Sequence, residues 1–437
     1  MRIGIVIDWN VHASSLMRIN CNMFRELGKL MNKQQNFTIT ALRKETLGIG
    51  DINQHYDCIH IPNMGGYAFP ADKMLSCKNL ILGPSGIDEV IYGEEVFFDK
   101  SLWKIHEPLI QKEILRWPKN IEKISAVHVV ANSELNEMNQ YLKIPKEKMI
   151  IIPHGVNHDH FKLPKDKSKT RKNVLEKFEL KDEPYFIHVS EINFARKNLF
   201  RMLDAFKKAK EQEIPQKLIL VGKVLPAISN KIKKYADVVS LGFVSDDELI
   251  SLIQGSDAIV LPSIHEGFGM PLVEAMACGV PSITMNNHAP PEVVGDSGLL
   301  VDSHSIDDIA MKMIEINQGD MLKILSEKAV LLSKNYSWER HASEVLFLYS
   351  NSTETNQNWN FNENYDIAAY RTLTTLVELF ATDKKNILIQ SLLNFNYSKI
   401  ISWAVEYGLF IPQCKDFLLP FKNWLMVKNM EKHNESN

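Results

Sequence analysis

The chain has 437 residues, of which 45% are hydrophobic and 24% are charged, a composition that excludes wholesale disorder and a small disulfide-stapled scaffold. Its 50 basic and 53 acidic side chains give a formal net charge of -3, which excludes a global positive field for binding nucleic acid. At this length we expect two domains plus an extension.

The cysteines and the N-terminus bear on the cellular compartment. The cysteines of the chain are odd in number and form no Cys-x-x-Cys pair, which favours reduced thiols over a disulfide framework. The first apolar run ends at Asp8, too early for the core of a signal peptide, and no run approaches the roughly 18 apolar residues of a membrane span. We therefore expect a cytoplasmic protein, with peripheral contact at the inner membrane face left open.

Short apolar runs bounded by turn residues recur along the first part of the chain and are typical of buried parallel strands. The predicted strands are Ile3–Ile7, Cys58–Ile61, Leu80–Leu82, Ala126–Val130 and Met149–Ile152. Helical spacing of apolar residues between them, as in Met17–Leu30, makes the pattern one of βα units. The sequence therefore predicts a doubly wound α/β domain over residues 1–160.

A charged stretch separates this series of strands from a second one. Lys162–Asp182 is rich in lysine but has no interleaved aromatic residues, so a solvated interdomain link over 161–182 is favoured over a nucleic-acid patch. The strands predicted after it are Tyr185–Val189, Leu218–Val221, Val238–Leu241, Ala258–Leu261 and Pro281–Thr284. They indicate a second doubly wound domain over residues 183–348.

The last part of the chain, residues 349–437, is predicted to be a helical extension. After a polar loop, apolar residues recur at helical spacing in Tyr365–Leu379, Asn386–Leu393, Lys399–Tyr407 and Cys414–Val427. Trp403, Phe410 and Trp424 could place this extension on a membrane, but packing against the first domain is the favoured interpretation.

The most informative segment runs from Leu261 to Pro281. A strand is predicted to end at Leu261, and a short helix to begin after a loop with two glycines and to stop at Gly279. The N–H groups and the dipole at such a helix start favour a bound anion, so the segment predicts a phosphate site. The residues assigned to this site are Phe268, Gly269, Met270 and Leu272.

Two carboxylates flank this anion site, Glu266 in the loop and Glu274 on the first turn of the helix. Carboxylates beside a phosphate are best explained by sugar hydroxyls, which donate hydrogen bonds to them. The alternative is an ordinary strand, loop and helix in which Glu266 faces solvent. The coincidence of two glycines, a proline and two acids favours the sugar-binding interpretation.

Glu266 and Glu274 are separated by seven residues in a glycine and proline frame, and in this the segment resembles GT-B glycosyltransferases of retaining family 4, the glycosyl transferases group 1. The resemblance implies two Rossmann-like domains facing each other across a cleft, a nucleotide-sugar donor, and no metal or other cofactor. It also implies that Glu274 binds the donor ribose, that Glu266 contacts the transferred hexose and that the Gly267–Gly269 backbone holds phosphate or sugar oxygens. The His265 position also matches the family.

A second motif, Ser190–Leu199, follows the first strand of the second domain and resembles the family segment that ends in Arg-Lys-Asn. Arg196 and Lys197 could neutralise a diphosphate leaving group as the glycosidic bond breaks. The resemblance extends to further loops around the donor, which adds Ser190, Gly222 and Val244 as donor-binding residues. A packing glycine at a strand end is the alternative for Gly222.

The first domain departs from the family, whose acceptor site often has paired glycines after the first strand. Here Ser14 and Ser15 follow that strand, and they could bind a phosphate or simply cap a helix. The one His-x-x-x-His spacing, His154 to His158, contains Gly155 and so predicts a loop and not a metal-binding helix face. The acceptor stays open, and no metal site is predicted.

Taken with these observations, the resemblance implies a retaining hexosyltransferase with a GDP-mannose or UDP-glucose type donor and with Glu266, Arg196 and Lys197 as catalytic residues. The acceptor is expected to be a hydroxyl of a glycan, a lipid-linked sugar or a protein, and no nucleic-acid partner is expected. Two alternatives stay open: a non-catalytic nucleotide-sugar-binding subunit, and a GT-B epimerase or phosphorylase. The oligomeric state also stays open.

Overall fold

The structure is a computed structural model that describes residues 1–6, 15–34, 36–42, 56–65, 68–70, 75, 77–96, 100, 103–191, 195–224 and 226–352. These residues form two parallel six-stranded sheets with helices between the strands. The predicted class, α/β with two doubly wound sheets, is confirmed. Ser14 and the four predicted tail helices lie outside the described residues.

The first sheet has the strand order β2-β1-β3-β4-β5-β6. Its strands are β1 (Arg2–Val6), β2 (Thr38–Leu42), β3 (Cys58–Gly65), β4 (Leu80–Ser85), β5 (Ala126–Val129) and β6 (Met149–Ile151). The helices that follow these strands are α1 (Ser15–Gln34), α2 (Asp88–Tyr92), α3 (Trp103–Ile114), α4 (Arg116–Asn120) and α5 (Asn132–Leu142). Ile3 and Ile5 of β1 are fully buried, as are Leu80 and Leu82 of β4, and burial on both faces explains the continuous apolar runs of these strands.

The second sheet has the strand order β12-β11-β10-β7-β8-β9. Its strands are β7 (Tyr185–Val189), β8 (Lys217–Val221), β9 (Val238–Gly242), β10 (Ala258–Leu261), β11 (Ser282–Met285) and β12 (Gly298–Val301). The helices of this part are α6 (Lys167–Lys177), α7 (Leu199–Lys210), α8 (Pro226–Ile232), α9 (Asp246–Gly255), α10 (Met270–Ala277), α11 (Pro290–Val294), α12 (Ile306–Glu315), α13 (Met321–Ser333) and α14 (Trp338–Ser352).

The order of the second sheet reverses at β7. From β7 the chain adds β8 and β9 on one side, and it then returns to place β10 on the other side of β7. Ligands of open α/β sheets bind outside the carboxyl ends of the strands at such a reversal. The loops after β7 and β10 are therefore the expected binding position in this sheet.

The core of the second sheet lies on both of its faces, because neighbouring residues of a strand point to opposite faces. Ile187 of β7 belongs to a buried cluster with Leu252 of α9, whereas the preceding Phe186 belongs to a second cluster with Phe206 of α7 and Met313 of α12. Each such side chain stabilises the fold by about 1.5–3 kcal/mol when fully buried. The two helix layers thus hold the strand ends in fixed positions.

The structure differs from the sequence prediction at two strands and in one stretch. The strands β2 and β12 were not predicted, and both are edge strands of their sheets. Helix α6 lies inside the stretch predicted as a solvated link, and the Asp166 carboxylate caps it by accepting the N–H of Lys169 over 2.9 Å. Val174 and Leu175 of α6 are buried in the core. That stretch is therefore in part a packed helix.

The described residues form two compact units. One lies within Met1–Ile61, Ser76–Leu80 and Leu346–Asn437, and the other lies within Pro62–Leu75 and Ile81–Val345. The candidate site belongs entirely to the second unit. In the described part of the chain, no helix has both the length and the apolar character that crossing a membrane requires.

Candidate functional site

The carboxyl ends of β7 and β10 bring the two sequence motifs together. Ser190 directly follows β7, and a short 3-10 turn, Ala195–Lys197, carries the two predicted cations. The loop from β10 to α10 carries Glu266. The N–H of Ile264 in this loop donates to the Arg196 carbonyl over 2.7 Å. The two motifs therefore form one hydrogen-bonded site at the reversal of the sheet.

Glu266 is an ionised carboxylate in a buried position. It is 7% exposed, and its Oε1 accepts hydrogen bonds from Lys197 Nζ over 2.6 Å and from Ser263 Oγ over 2.7 Å. Nη1 of Arg196 lies 3.8 Å from the other oxygen, Oε2. Burial raises the pKa of the Glu266 carboxyl, but the charges of Lys197 and Arg196 and these hydrogen bonds outweigh burial and lower the pKa to about 2.

Lys197 is the buried partner of this carboxylate. Its side chain is 12% exposed, and burial lowers the pKa of its amine below the ordinary value, although the charge of the neighbouring Glu266 opposes this shift. An ammonium group has three donors, so it can contact an incoming anion while it keeps its bond to the carboxylate. The site therefore has a positive charge that is fixed in place before any ligand binds.

Arg196 contacts an acid on a different element of the fold. Its Nε lies 3.1 Å from Oδ2 of Asp88, the first residue of α2, and its Nη1 donates to the His265 carbonyl over 3.3 Å. The guanidinium group is planar, so contacts at two of its nitrogens fix the orientation of that plane. The site thus places two cations beside two acids, Asp88 and Glu266.

A hydrogen-bonded cluster of Glu137, His265 and His288 lies next to the Glu266 loop. Oε2 of Glu137 lies 3.1 Å from Nε2 of His265, and Oε1 lies 2.5 Å from Nδ1 of His288. Burial raises the pKa of the Glu137 carboxyl, but the hydrogen bonds from the two histidines outweigh it and lower the pKa to about 2. The ligand atoms lie within 4.8 Å of one another, so among the described residues this cluster could hold a metal ion. Hydrogen bonds to both carboxylate oxygens already account for its arrangement.

Helix α10 places Glu274 differently from the prediction. The helix begins at Met270, so Glu274, which is 3% exposed, lies in its second turn and not in its first. Gly269 precedes the helix with a φ of 90°, and its carbonyl accepts the N–H of Leu272 over 2.8 Å. The Leu272 N–H is therefore already engaged within the loop, in contrast to the expectation that it is free for a phosphate. The other N–H groups assigned to this site stay predicted donors.

Ser190 and Gly222 lie side by side at the ends of β7 and β8. The Ser190 N–H donates to the Val221 carbonyl over 3.0 Å, and its Oγ lies 2.6 Å from Nε2 of His188. Gly222 has a φ of 133°, and a Cβ atom there would lie 1.8 Å from the Ser190 carbonyl oxygen. Only glycine fits such a close approach. The packing role of Gly222 is thereby supported, and its donor-binding role stays a prediction.

Val244 lies in the loop between β9 and α9. Its side chain is 8% exposed and belongs to the core of the second sheet. The next residue, Ser245, begins α9 with a capping box to Glu248, which fixes the loop. Because its side chain is buried, Val244 can contact a nucleotide only through its backbone.

Three residues of the site carry no sequence motif. Asp88, Glu137 and His288 come from α2, from α5 and from the loop after β11, and they contact Arg196 or His265. The left-handed backbone of His288, with a φ of 58°, is uncommon for a residue other than glycine. Neither this conformation nor the long-range contacts leave a pattern in the sequence.

Comparisons with known proteins cover the same part of the chain. The profile of the family described as glycosyl transferases group 1 matches residues 170–331. O-antigen chain mannosyltransferase B from Escherichia coli is 26% identical over 239 residues, which are 53% of this chain and 62% of that relative. The chain thus spans less than two thirds of that relative's length.

Solved structures share the fold of the chain. A glycosyltransferase from Rickettsia africae ESF-5 matches with a TM-score of 0.60 at 18% identity, over 82% of this chain and 99% of that chain. Alr3699/HepE from Anabaena, in complex with UDP-glucose, matches with a TM-score of 0.60 at 15% identity, over 80% of this chain and all (100%) of that chain. These matches confirm the predicted GT-B fold class. The family profile, the relative and the fold agree with the two motifs, and residues 170–331 of the chain are similar to the glycosyl transferases group 1 family.

Proposed function

We propose that the chain is a retaining hexosyltransferase that moves a hexose from a nucleoside-diphospho-sugar to a hydroxyl acceptor. The observation that carries this proposal is the buried Lys197–Glu266 pair, with Arg196 beside it, at the carboxyl ends of β7 and β10. This position is where open α/β sheets bind ligands, and it presents two cations to a diphosphate and a carboxylate to a sugar hydroxyl.

In the proposed reaction the bond between the sugar C1 and the diphosphate oxygen breaks, and the electron pair leaves with the diphosphate. Arg196 and Lys197 stabilise the charge that grows on this leaving group. The acceptor oxygen forms the new bond to C1 on the same face, and its proton passes to an oxygen of the leaving diphosphate. Because that oxygen receives the proton, no separate general base is needed.

The other site residues hold the donor in place. Glu274 binds the ribose hydroxyls, Glu266 and His265 contact the hexose, and the backbone between Gly267 and Met270 contacts phosphate or sugar oxygens. Ser190, Gly222 and Val244 line the same strand ends. The proposed reaction needs no metal ion, because the guanidinium and the ammonium supply the positive charge.

The donor sugar is proposed to be mannose carried by GDP, with UDP-glucose as the second choice. The Arg-Lys-Asn segment that contains Arg196 supports mannose by resemblance, and so does the mannosyltransferase relative. The solved structure with UDP-glucose supports the second choice. The acceptor is proposed to be a hydroxyl of a glycan, a lipid-linked sugar or a protein, and the compartment to be the cytoplasm.

A thermal-shift panel tests this proposal first. GDP, UDP, ADP and their hexose conjugates are each added to the purified chain, because a ligand present at 100 times its Kd stabilises the fold by about 2.7 kcal/mol. The proposal expects a selective shift with one base, unchanged by EDTA, and then transfer of that hexose with retention of the anomeric configuration by proton NMR. Binding without turnover in any acceptor screen supports the binding-subunit alternative, and product from the donor plus water or inorganic phosphate supports the epimerase or phosphorylase alternative. No shift with any nucleotide contradicts the proposal.

A further inference from the structure

The short helix α2 contacts the proposed donor site at both of its ends. Oδ2 of Asp88, its first residue, lies 3.1 Å from Nε of Arg196. Oη of Tyr92, its last residue, lies 2.6 Å from Nε2 of His288. Residues four apart lie on one face of a helix, so a single face of α2 makes both contacts. No sequence motif marks this helix.

The contact at Tyr92 holds the helix in place. Nδ1 of His288, the other nitrogen of the ring, lies 2.5 Å from Oε1 of Glu137 in α5, and the second oxygen of Glu137 lies 3.1 Å from His265. One hydrogen-bonded chain thus runs from α2 through His288 and α5 to the residue that precedes Glu266. Asp88 is therefore carried on a helix with a fixed position relative to the Glu266 loop.

The contact at Asp88 orients the guanidinium of Arg196. Asp88 contacts Nε, and the His265 carbonyl accepts a hydrogen bond from Nη1 over 3.3 Å. The same Nη1 lies 3.8 Å from Oε2 of Glu266. Two anchored nitrogens determine the plane of the group. Loss of the Nε contact would remove one of the contacts that hold this plane in position.

The exposure of this ion pair argues against a role in stability. The Arg196 and Asp88 side chains are 24% and 21% exposed, whereas those of the Lys197–Glu266 pair are 12% and 10% exposed. Ion pairs that solvent reaches contribute little to folding, because water screens them and ordering the side chains costs entropy. The geometry of Arg196 is therefore the property that Asp88 can influence most.

We propose that Asp88 is a positioning residue that orients Arg196 toward the leaving diphosphate. This inference rests on the proposed function, in which Arg196 contacts that group. Asp88 is also an anion beside the same cation, so it opposes the binding of a diphosphate while it aligns the guanidinium for the reaction. Removing Asp88 therefore has opposite effects on binding and on turnover, which a purely structural residue does not have.

The test compares Asp88→Ala and Asp88→Asn with Glu95→Gln, a control that removes one negative charge from an exposed position in the turn after α2. Donor turnover and the Kd of the matching nucleoside diphosphate are measured for each variant. We expect Asp88→Ala to lower kcat about 10- to 100-fold, because a small misplacement of a positioned group has effects of this size. The Kd is expected to tighten by roughly threefold, as a repelling charge is removed.

Asp88→Asn keeps an oxygen that can accept the Nε–H, so it should lower kcat less than Asp88→Ala does. The inference is overturned if Asp88→Ala leaves kcat unchanged, if kcat and nucleotide affinity fall together, or if Glu95→Gln has the same effect. If the wild-type chain neither binds nor consumes any nucleotide sugar, this result contradicts the proposed function itself.

A spectroscopic readout tests the contact without any substrate. In protein labelled with nitrogen-15 arginine, the Nε–H signal of Arg196 is assigned by its loss in Arg196→Lys. We expect a sharp, exchange-protected signal in the wild type that broadens or disappears in Asp88→Ala and persists in Glu95→Gln. An unchanged signal in Asp88→Ala shows that Asp88 does not orient Arg196.

Discussion

Replacing Glu266 by Gln should destabilise the fold as well as remove a site residue. The change keeps the size of the side chain and an oxygen for Ser263, but it leaves the Lys197 ammonium without the carboxylate that lies 2.6 Å away. Both side chains of this pair are at least 88% buried, as their exposures of 12% and 10% show. Breaking a buried ion pair on one side costs about 3–5 kcal/mol, and we expect a loss of this size.

A double-mutant cycle separates the ion pair from other effects of the change. Lys197→Met alone removes the nearer of the two cations beside the buried carboxylate and should also be destabilising, although Arg196 still lies 3.8 Å from Oε2. The double variant removes both charges, so its cost should be about 2–3 kcal/mol smaller than the sum of the two single costs. The free energies of unfolding come from urea titrations followed by circular dichroism and extrapolated to water.

The Lys312–Glu315 pair provides a matched control. Its two atoms also lie 2.6 Å apart, but its side chains are 26% and 32% exposed. Glu315→Gln should therefore cost less than about 1 kcal/mol. Two results would contradict a strong Lys197–Glu266 interaction. One is that Glu266→Gln is no more destabilising than Glu315→Gln, and the other is that the free-energy costs of the two single variants simply add in the double variant.

Three further predictions concern the strand ends, the pH dependence and the nucleotide. Gly222→Ala should destabilise the fold by more than about 2 kcal/mol in urea unfolding, since its Cβ would lie 1.8 Å from the Ser190 carbonyl oxygen. The control Gly319→Ala, at a position with a positive φ but no neighbour within 4 Å, should cost about 1 kcal/mol. Equal costs for the two variants would contradict the close approach at Gly222. Burial raises the pKa of Glu134 from 4.5 to about 8, so the wild type should lose stability as pH rises from 4.5 to 8, by up to about 1.4 kcal/mol per pH unit. Glu134→Gln cannot ionise at this position and should lack this loss. Identical profiles of stability against pH for the two proteins would refute this prediction. Glu274→Gln should weaken nucleotide binding by about tenfold in calorimetry, as one charge-assisted hydrogen bond is weakened; an unchanged Kd refutes the ribose role.

The strands that the sequence predicted are those with continuous apolar runs. The predicted bounds are correct for Tyr185–Val189 and Ala258–Leu261. Each of these strands is buried along its whole length and so contains almost no polar residue, and the apolar run therefore begins and ends with the strand. The two strands that were not predicted, Thr38–Leu42 and Gly298–Val301, lie at sheet edges, where most of their residues are partly exposed. Edge strands need fewer apolar residues and their pattern is weaker, although the other two edge strands, Met149–Ile151 and Val238–Gly242, retain enough apolar residues to be predicted.

The site was predictable only as far as its motifs reach. Two short segments contain Glu266, Arg196 and Lys197. These segments follow the neighbouring strands β10 and β7, so the parallel sheet brings them together at the reversal of the strand order. Asp88 and Glu137 come from the helices α2 and α5, far away in sequence, and only packing determines that they meet the motifs. Such contacts depend on the whole fold, so no local spacing encodes them.

The most direct test of the central claim is donor turnover by the wild type and by Glu266→Gln. Purified protein is incubated with GDP-mannose, UDP-glucose and a mixed panel of sugar and lipid-linked hydroxyl acceptors, and the released nucleoside diphosphate is measured by mass spectrometry. We expect the wild type to consume one donor. We expect Glu266→Gln, shown to be folded by circular dichroism, to release at least 100-fold less nucleoside diphosphate, which corresponds to about 2.7 kcal/mol of lost transition-state stabilisation. Equal release by both proteins would contradict the claim that this site carries out the transfer.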